Sequence, residues 1–230
     1  MERTEPIRLS LRELRDERPD GAAEDLHFTE ALVARVIESF SRVGDVVLDP
    51  FAGFGTAAVV AVRMGRRAIA VELLPERAAI IRKRLGTAGD VLVGDARELA
   101  RLVPGPVDLC LTSPPYMART GHPENPLTGY RTLDGDYATY LDELELVASQ
   151  VASLLRPGGH FVLNAATIVS NGDTTPLADD IAERVGRHLD RRPDLPIAWD
   201  QPPPGIVDDR CLVFRSGSGS FEEASRRGRP

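Results

Sequence analysis

The sequence predicts an α/β fold built on an open, mainly parallel sheet, and three observations predict it. The apolar run Asp45–Leu48 leads into Asp49–Thr56 (DPFAGFGT), and AAVVAVRMG then continues at helical spacing until Gly65 stops it. Further apolar runs alternate with helical stretches: RAIAVE at 67–72, DVLVG at 90–94 and VDLCL at 107–111. Glu72 closes the second of these strands, near the spacing of about 20 residues from the glycine turn at which an acidic side chain holds ribose hydroxyls in such sheets.

Strand, glycine turn and helix in that order are the anatomy of a nucleotide-cradling loop. Gly53 and Gly55 allow positive φ and close backbone approach, and the following helix points its free N–H groups at whatever sits there. A tight turn without a ligand is the bland alternative, and a lone G-x-G is weak. The Asp-Pro ahead of it, Phe51 and Thr56 make the stretch more specific, and ligand binding outweighs the plain turn.

At 230 residues the chain is long enough for a full core, and its 42% apolar and 27% charged content are ordinary for a globular protein. The expected division is an N-terminal arm or capping helix (1–26), one catalytic domain (27–215) and a disordered Gly/Ser/Arg tail (216–230). No apolar run approaches a membrane span, and the Arg- and Glu-rich N-terminus lacks a signal region, so a cytoplasmic location is expected. Cys110 and Cys211 lie in strand-like contexts and read as buried thiols. Four scattered histidines argue against a structural metal. The net charge of −7, with Lys83 the sole lysine, lowers the expectation of tight, autonomous binding to duplex nucleic acid.

In chain order, Met1–Asp25 carries a weak helical pattern around Ile7–Leu14. Thr29 then caps a helix with Leu32, Val36, Ile37 and Phe40 on one face. Glu72 alone reads as a helix N-terminal acid before LPERAAIIRKRL; taken with the glycine loop, the ribose role is favoured. Asp95 after the third strand has two compatible readings, a helix cap and a contact to an adenine edge. The fourth strand ends in Thr112-Ser113-Pro114-Pro115-Tyr116. Two prolines there make a stiff, extended turn that presents carbonyl oxygens without amide donors, suited to a planar group bearing NH₂.

Residues 117–135 form a long polar loop, the kind that binds or closes over a ligand; Arg119 and Arg131, with Tyr116, are its candidate substrate contacts. Asp136 caps an amphipathic helix whose stripe of Tyr137, Tyr140, Leu141, Leu144, Ala148, Val151 and Leu155 is core. Pro157-Gly158-Gly159 is expected to break it before a fifth strand at His160–Asn164. A polar loop (167–175) and a helix (about 176–189) follow. Leu195–Trp199 and Arg210–Arg215 read as an antiparallel pair closing one sheet edge.

DPFAGFGT, Glu72 and TSPPY together resemble the S-adenosylmethionine-dependent DNA methyltransferases that modify the adenine 6-amino or cytosine 4-amino group. The resemblance runs from about His27 to Phe214 and includes RPGG at Arg156–Gly159. It implies a class I methyltransferase (Rossmann-like) fold: a mainly parallel seven-stranded sheet with an antiparallel last strand and helices on both faces. For S-adenosylmethionine it implies contacts at His27, Phe28 and Thr29, at Asp49, Phe51, Gly53, Gly55 and Thr56, at Glu72, and at Asp95 and Ala96. Ser113, Pro114, Pro115 and Tyr116 resemble the catalytic loop. Here the glycine motif precedes that loop, whereas many relatives with this turn have the reverse, permuted order.

The implied activity is methyl transfer to an exocyclic amine of a DNA base, with Ser113 favouring cytosine slightly over adenine. No metal is required. A recognition region of substantial size is missing, so a specificity subunit or a homodimer is an expected partner. The alternatives are an amino-methyltransferase acting on RNA or a non-nucleic-acid acceptor, and an idle cofactor-binding subunit. Against the last, no motif position is degraded.

Overall fold

The computed structural model describes residues 5–18, 28–121, 123–133 and 135–217. Its elements are β1 (Ile7–Leu9), α1 (Leu11–Asp16), α2 (Glu30–Phe40), β2 (Val46–Asp49), α3 (Thr56–Arg63), β3 (Arg67–Glu72), α4 (Pro75–Leu85) and β4 (Asp90–Val93), then α5 (Leu99–Leu102), β5 (Val107–Thr112), α6 (Tyr137–Leu154), β6 (Leu155–Ser170), β7 (Asp173–Thr175), α7 (Leu177–Val185), β8 (Asp190–Trp199) and β9 (Ile206–Arg215).

The sheet runs β1-β8-β9-β6-β5-β2-β3-β4, with β7 paired to β6. β2 pairs in parallel with both β3 and β5, and β9 is antiparallel to β6 and β8. From β2 the chain steps outward through β3 and β4, then crosses back to β5 on the other flank. That reversal opens a crevice at the carboxyl ends of β2 and β5, where ligands bind in open α/β sheets.

Period-two alternation sends successive strand residues to opposite faces. Val46, Leu48, Ile69, Val71 and Cys110 pack on the face covered by α5, α6 and α7. Val47, Ala68, Ala70, Leu109 and Leu111 pack against α2, α3 and α4. Small residues on α3 (Ala57, Ala58, Ala61) bring that helix close to the sheet, and Val60 fills the space between. The expected thiols are free and buried at Cys110 and Cys211. Among the described residues no helix is long and apolar enough to cross a membrane.

Five expectations are corrected. Ile7–Leu14 is not one weak helix: Ile7–Leu9 join the edge strand β8 in parallel, and α1 follows. With β7 as well, the sheet has nine strands rather than seven. Pro157-Gly158-Gly159 does not separate helix from strand. α6 passes straight into a 16-residue β6, and the irregularity is absorbed as a register shift against β5 with Gly158 at φ 81°. Residues 167–175 are no loop but the β6–β7 hairpin, turning on Asn171 (φ 52°) and Gly172 (φ 84°). Positive φ at both turn residues is the two-residue hairpin geometry that Asn-Gly favours. The last helix ends at Val185, four residues short of expectation.

Candidate active site

Asp49 ends β2, and its side chain is the first brace of the crevice. Its Oδ1 accepts from the Phe51 N–H (3.1 Å) and from Thr112 Oγ1 (2.6 Å) at the end of β5. One carboxyl thus joins the glycine turn to the strand that carries Ser113. It is buried, and desolvation pushes its pKa up to about 7 against the hydrogen bonds from Thr112 and Phe51.

The turn itself is shaped by two left-handed glycines. Gly55 (φ 82°) caps α3, and a β-carbon there would stand 2.7 Å from Ile81 Cγ2. Gly53 (φ 54°) has nothing within 4 Å of where its β-carbon would be, and it lines the cleft. Its N–H donates to Glu72 Oε2 (2.8 Å), while the Leu74 N–H donates to Oε1 (2.9 Å). Glu72 is 6% exposed. Burial raises its pKa, and the amide bonds and Arg77 pull the other way. Each oxygen keeps acceptor capacity beyond its single backbone donor.

The cleft at this crevice has a volume of about 600 Å³. One wall is Phe51, Gly53, Thr56, Glu72, Gly94 and Ala96; the facing wall is Ser113, Pro114, Pro115 and Tyr116. The double-proline loop is tied down: Tyr140 Oη donates to the Pro115 carbonyl (2.8 Å), and Tyr116 Oη donates to the Asn164 carbonyl (3.4 Å). Burial and the nearby Asp209 carboxyl raise the Tyr116 phenol, while a hydrogen bond with Ser113 opposes them.

The structure gathers the glycine turn, Glu72, Ala96, Phe28 and the Ser113–Tyr116 loop around one cleft. Other candidates lie elsewhere. The Asp95 carboxylate caps the turn at Ala96–Glu98 through the Arg97 N–H (2.8 Å) and pairs with the Arg97 guanidinium, which is the first of its two compatible readings; its neighbours Gly94 and Ala96 line the cleft. Thr29 caps α2 through the Leu32 N–H (3.3 Å) and is not among the lining residues. Arg119 turns away to Asp180 (2.8 Å) and over the Tyr137 ring. Arg131 is exposed, outside the cleft. His27 lies outside the described residues.

Several wall residues were missed from the sequence. Leu14 on α1 lines the cleft from the arm. Leu73 and Leu74 continue from Glu72, and Pro126, Leu127, Gly129 and Tyr130 close over them from the long loop. Buried Asn125 organises that loop, its side chain accepting from the Leu127 N–H and donating to Glu143. Asn164, Trp199 and Asp209 form the far end. The length and polarity of the 117–135 loop pointed to the first group. Nothing local marked the last three, which converge only through sheet pairing.

The cleft fits S-adenosylmethionine on the evidence of the glycine turn. Gly53 leaves a cradle that a side chain would fill, directly beside a buried carboxylate with capacity to accept from hydroxyls. Residues 14–83 match the DNA methylase family of the N6/N4 type. The chain is 48% identical over 56 residues to the Type II methyltransferase M2.DpnII of Streptococcus pneumoniae, covering 24% of this chain and 21% of that one. It is 41% identical over 73 residues to the DNA adenine methyltransferase YhdJ of Escherichia coli, covering 32% of this chain and 24% of that one. The chain thus matches under a quarter of the length of either curated relative. A solved methyltransferase from Pyrococcus furiosus superposes with a TM-score of 0.59 at 18% identity, over 87% of each chain. Residues 14–83, which hold the glycine turn and Glu72, are thus similar to the N6/N4-type DNA methylases, and the chain has a class I methyltransferase fold.

Proposed function

We propose that the protein is an S-adenosylmethionine-dependent methyltransferase that methylates an exocyclic amino group of a DNA base. The observation that carries this reading is the single cleft with the glycine turn and Glu72 on one wall and Ser113–Tyr116 on the other. Its volume of about 600 Å³ is within the usual range for small-molecule sites.

The cofactor, when bound, supplies an electrophilic methyl group on a sulfonium centre. Glu72 accepts from the ribose hydroxyls with the acceptor capacity that Gly53 and Leu74 leave. Phe51, Gly53 and Thr56 line the methionine portion, and the backbone at Ala96 meets the adenine. An aromatic amine is a poor nucleophile because its lone pair is delocalised into the ring. Ser113 Oγ and the Pro114 carbonyl accept its two N–H bonds, draw the nitrogen out of conjugation and aim its lone pair. The Pro115 carbonyl is committed to Tyr140, so the paired acceptors are Ser113 and Pro114. The acceleration then comes chiefly from positioning. Tyr116 provides a stacking face, worth about 1–3 kcal/mol per base, against the few kcal/mol that extrusion from a duplex costs.

Both bases keep a claim. Ser113 at the head of the motif favours the cytosine amine; the E. coli relative's name, DNA adenine methyltransferase, favours the adenine amine. Tritium transfer from labelled S-adenosylmethionine to unmethylated genomic DNA, total RNA and a metabolite extract tests the reading, with nucleoside analysis of the DNA. Label in N4-methylcytosine or N6-methyladenine is the expected result. Label confined to RNA or metabolites would overturn the DNA assignment, and Ser113→Ala retaining full transfer would overturn the role of the loop.

A further inference from the structure

At the end of the cleft away from Glu72 stands a half-buried carboxyl group that no step above uses. Asp209 lies on β9, and in the sheet order β9-β6-β5 it is two strands from the end of β5, where Ser113 follows. Ser113 follows Thr112, which is in register with Leu163 and Leu212, so Asp209 also lies about two residues further along. At about 4.8 Å per strand and about 3.3 Å per residue the backbones are about 12 Å apart, a gap spanned by a nucleobase ring and two side chains.

Asp209 Oδ2 accepts from Trp199 Nε1 (2.8 Å) and Oδ1 from Asn164 Nδ2 (2.7 Å). All three residues line the cleft beside Tyr116, whose hydroxyl donates to the Asn164 carbonyl. Among the described residues no ion pair reaches Asp209. The adjacent Arg210 guanidinium is taken by Asp179, Asp194 and Asp208. Burial raises the Asp209 pKa, and the Trp199 and Asn164 bonds offset this only in part. A half-buried carboxyl with no cation partner is costly to keep, and a neutral side chain would stitch Trp199 to Asn164 at lower cost. These donors, with the Arg210 backbone N–H, fix the carboxyl plane, and the acceptor capacity they leave is available to the cleft that Asp209 lines.

We propose that Asp209, held by Trp199 and Asn164, is a specificity residue on the acceptor side, hydrogen-bonding the ring edge of the base whose exocyclic amine rests on Ser113 and Pro114. The inference rests on the methyltransferase reading and assigns Asp209 no covalent step. Its role is to orient a planar nitrogenous base and to discriminate between bases.

The test uses the full chain, S-adenosylhomocysteine binding by calorimetry, and label transfer to single-stranded oligonucleotides whose methylatable base is either adenine or cytosine. Asp209→Ala is expected to raise the acceptor KM about tenfold or more, the cost of one lost hydrogen bond in a desolvated site. It should also shift the adenine-to-cytosine rate ratio while leaving S-adenosylhomocysteine affinity unchanged. Asp209→Asn should recover part of the KM with an altered base preference, and it carries the test if the alanine variant does not fold. Unchanged KM and base preference, or cofactor affinity that weakens in step with KM, would overturn the proposal and leave the methyltransferase reading standing. A wild-type protein that binds no S-adenosylhomocysteine and transfers no label would instead sink that reading, and this inference with it.

Discussion

Gly53 and Gly55 are two residues apart, both at positive φ, yet they answer to different neighbours. Gly55→Ala places a methyl group 2.7 Å from Ile81 in addition to the strain of φ 82°. It is expected to cost about 1–3 kcal/mol, which for a chain of this size lowers Tm by roughly 2–4 °C per kcal/mol. A thermal melt reads this directly. Gly53→Ala meets no protein atom within 4 Å, so its melt should fall less, while S-adenosylhomocysteine affinity falls more. Equal melts with unaltered affinity would contradict the cradle. Asp49 adds a pH signature. Its folded pKa of about 7 lies above the ordinary 3.8, so the folded state holds the proton more tightly. The stability it contributes is therefore full below about pH 4 and lost as pH rises through about 7. Asp49→Asn removes that loss, and denaturant melts should show the variant gaining about 2–3 kcal/mol on wild type between pH 5 and pH 8. No gain would mean that the Thr112 and Phe51 bonds keep the carboxylate ionised.

At the scale of elements, caps and turns decide where helices and strands stop. Thr29 was implicated in cofactor binding by resemblance, but its side chain is spent on the α2 cap. Thr29→Ala should therefore lower stability by about 1 kcal/mol and leave S-adenosylhomocysteine affinity where it was; a large drop in affinity would restore the original role. Helices were legible where a cap met a periodic face, as at Thr29 and Asp136. The β6–β7 hairpin was missed: its turn residues Asn171-Gly172 are a hairpin signal, but the polar composition around them reads as loop until β6 supplies a partner. β1 was not legible: three residues make a strand only because β8 offers an open edge.

For the whole molecule, charge bears most on function. Arg119 and Arg210 are paired with aspartates, and Arg97 with Asp95 and Glu143. With a net charge of −7, the chain as a whole repels duplex DNA. Binding to duplex at about 0.15 M salt should thus be weak, with a log–log salt slope of roughly −3 or shallower, measurable by fluorescence anisotropy. A steep slope would reveal a basic surface of the folded chain that the pairing conceals. The sequence by itself determined the alternation of strands and helices, the glycine turn, the acid at the end of β3 and the double-proline loop, because each is a local pattern read within a few residues. Only the tertiary structure decided that Asp49 braces two strand ends, that Arg119 pairs with Asp180 outside the cleft lining, and that Asn164, Trp199 and Asp209 meet in the cleft wall. Those contacts join residues 10 to 63 positions apart, and no local pattern carries information across a strand crossing.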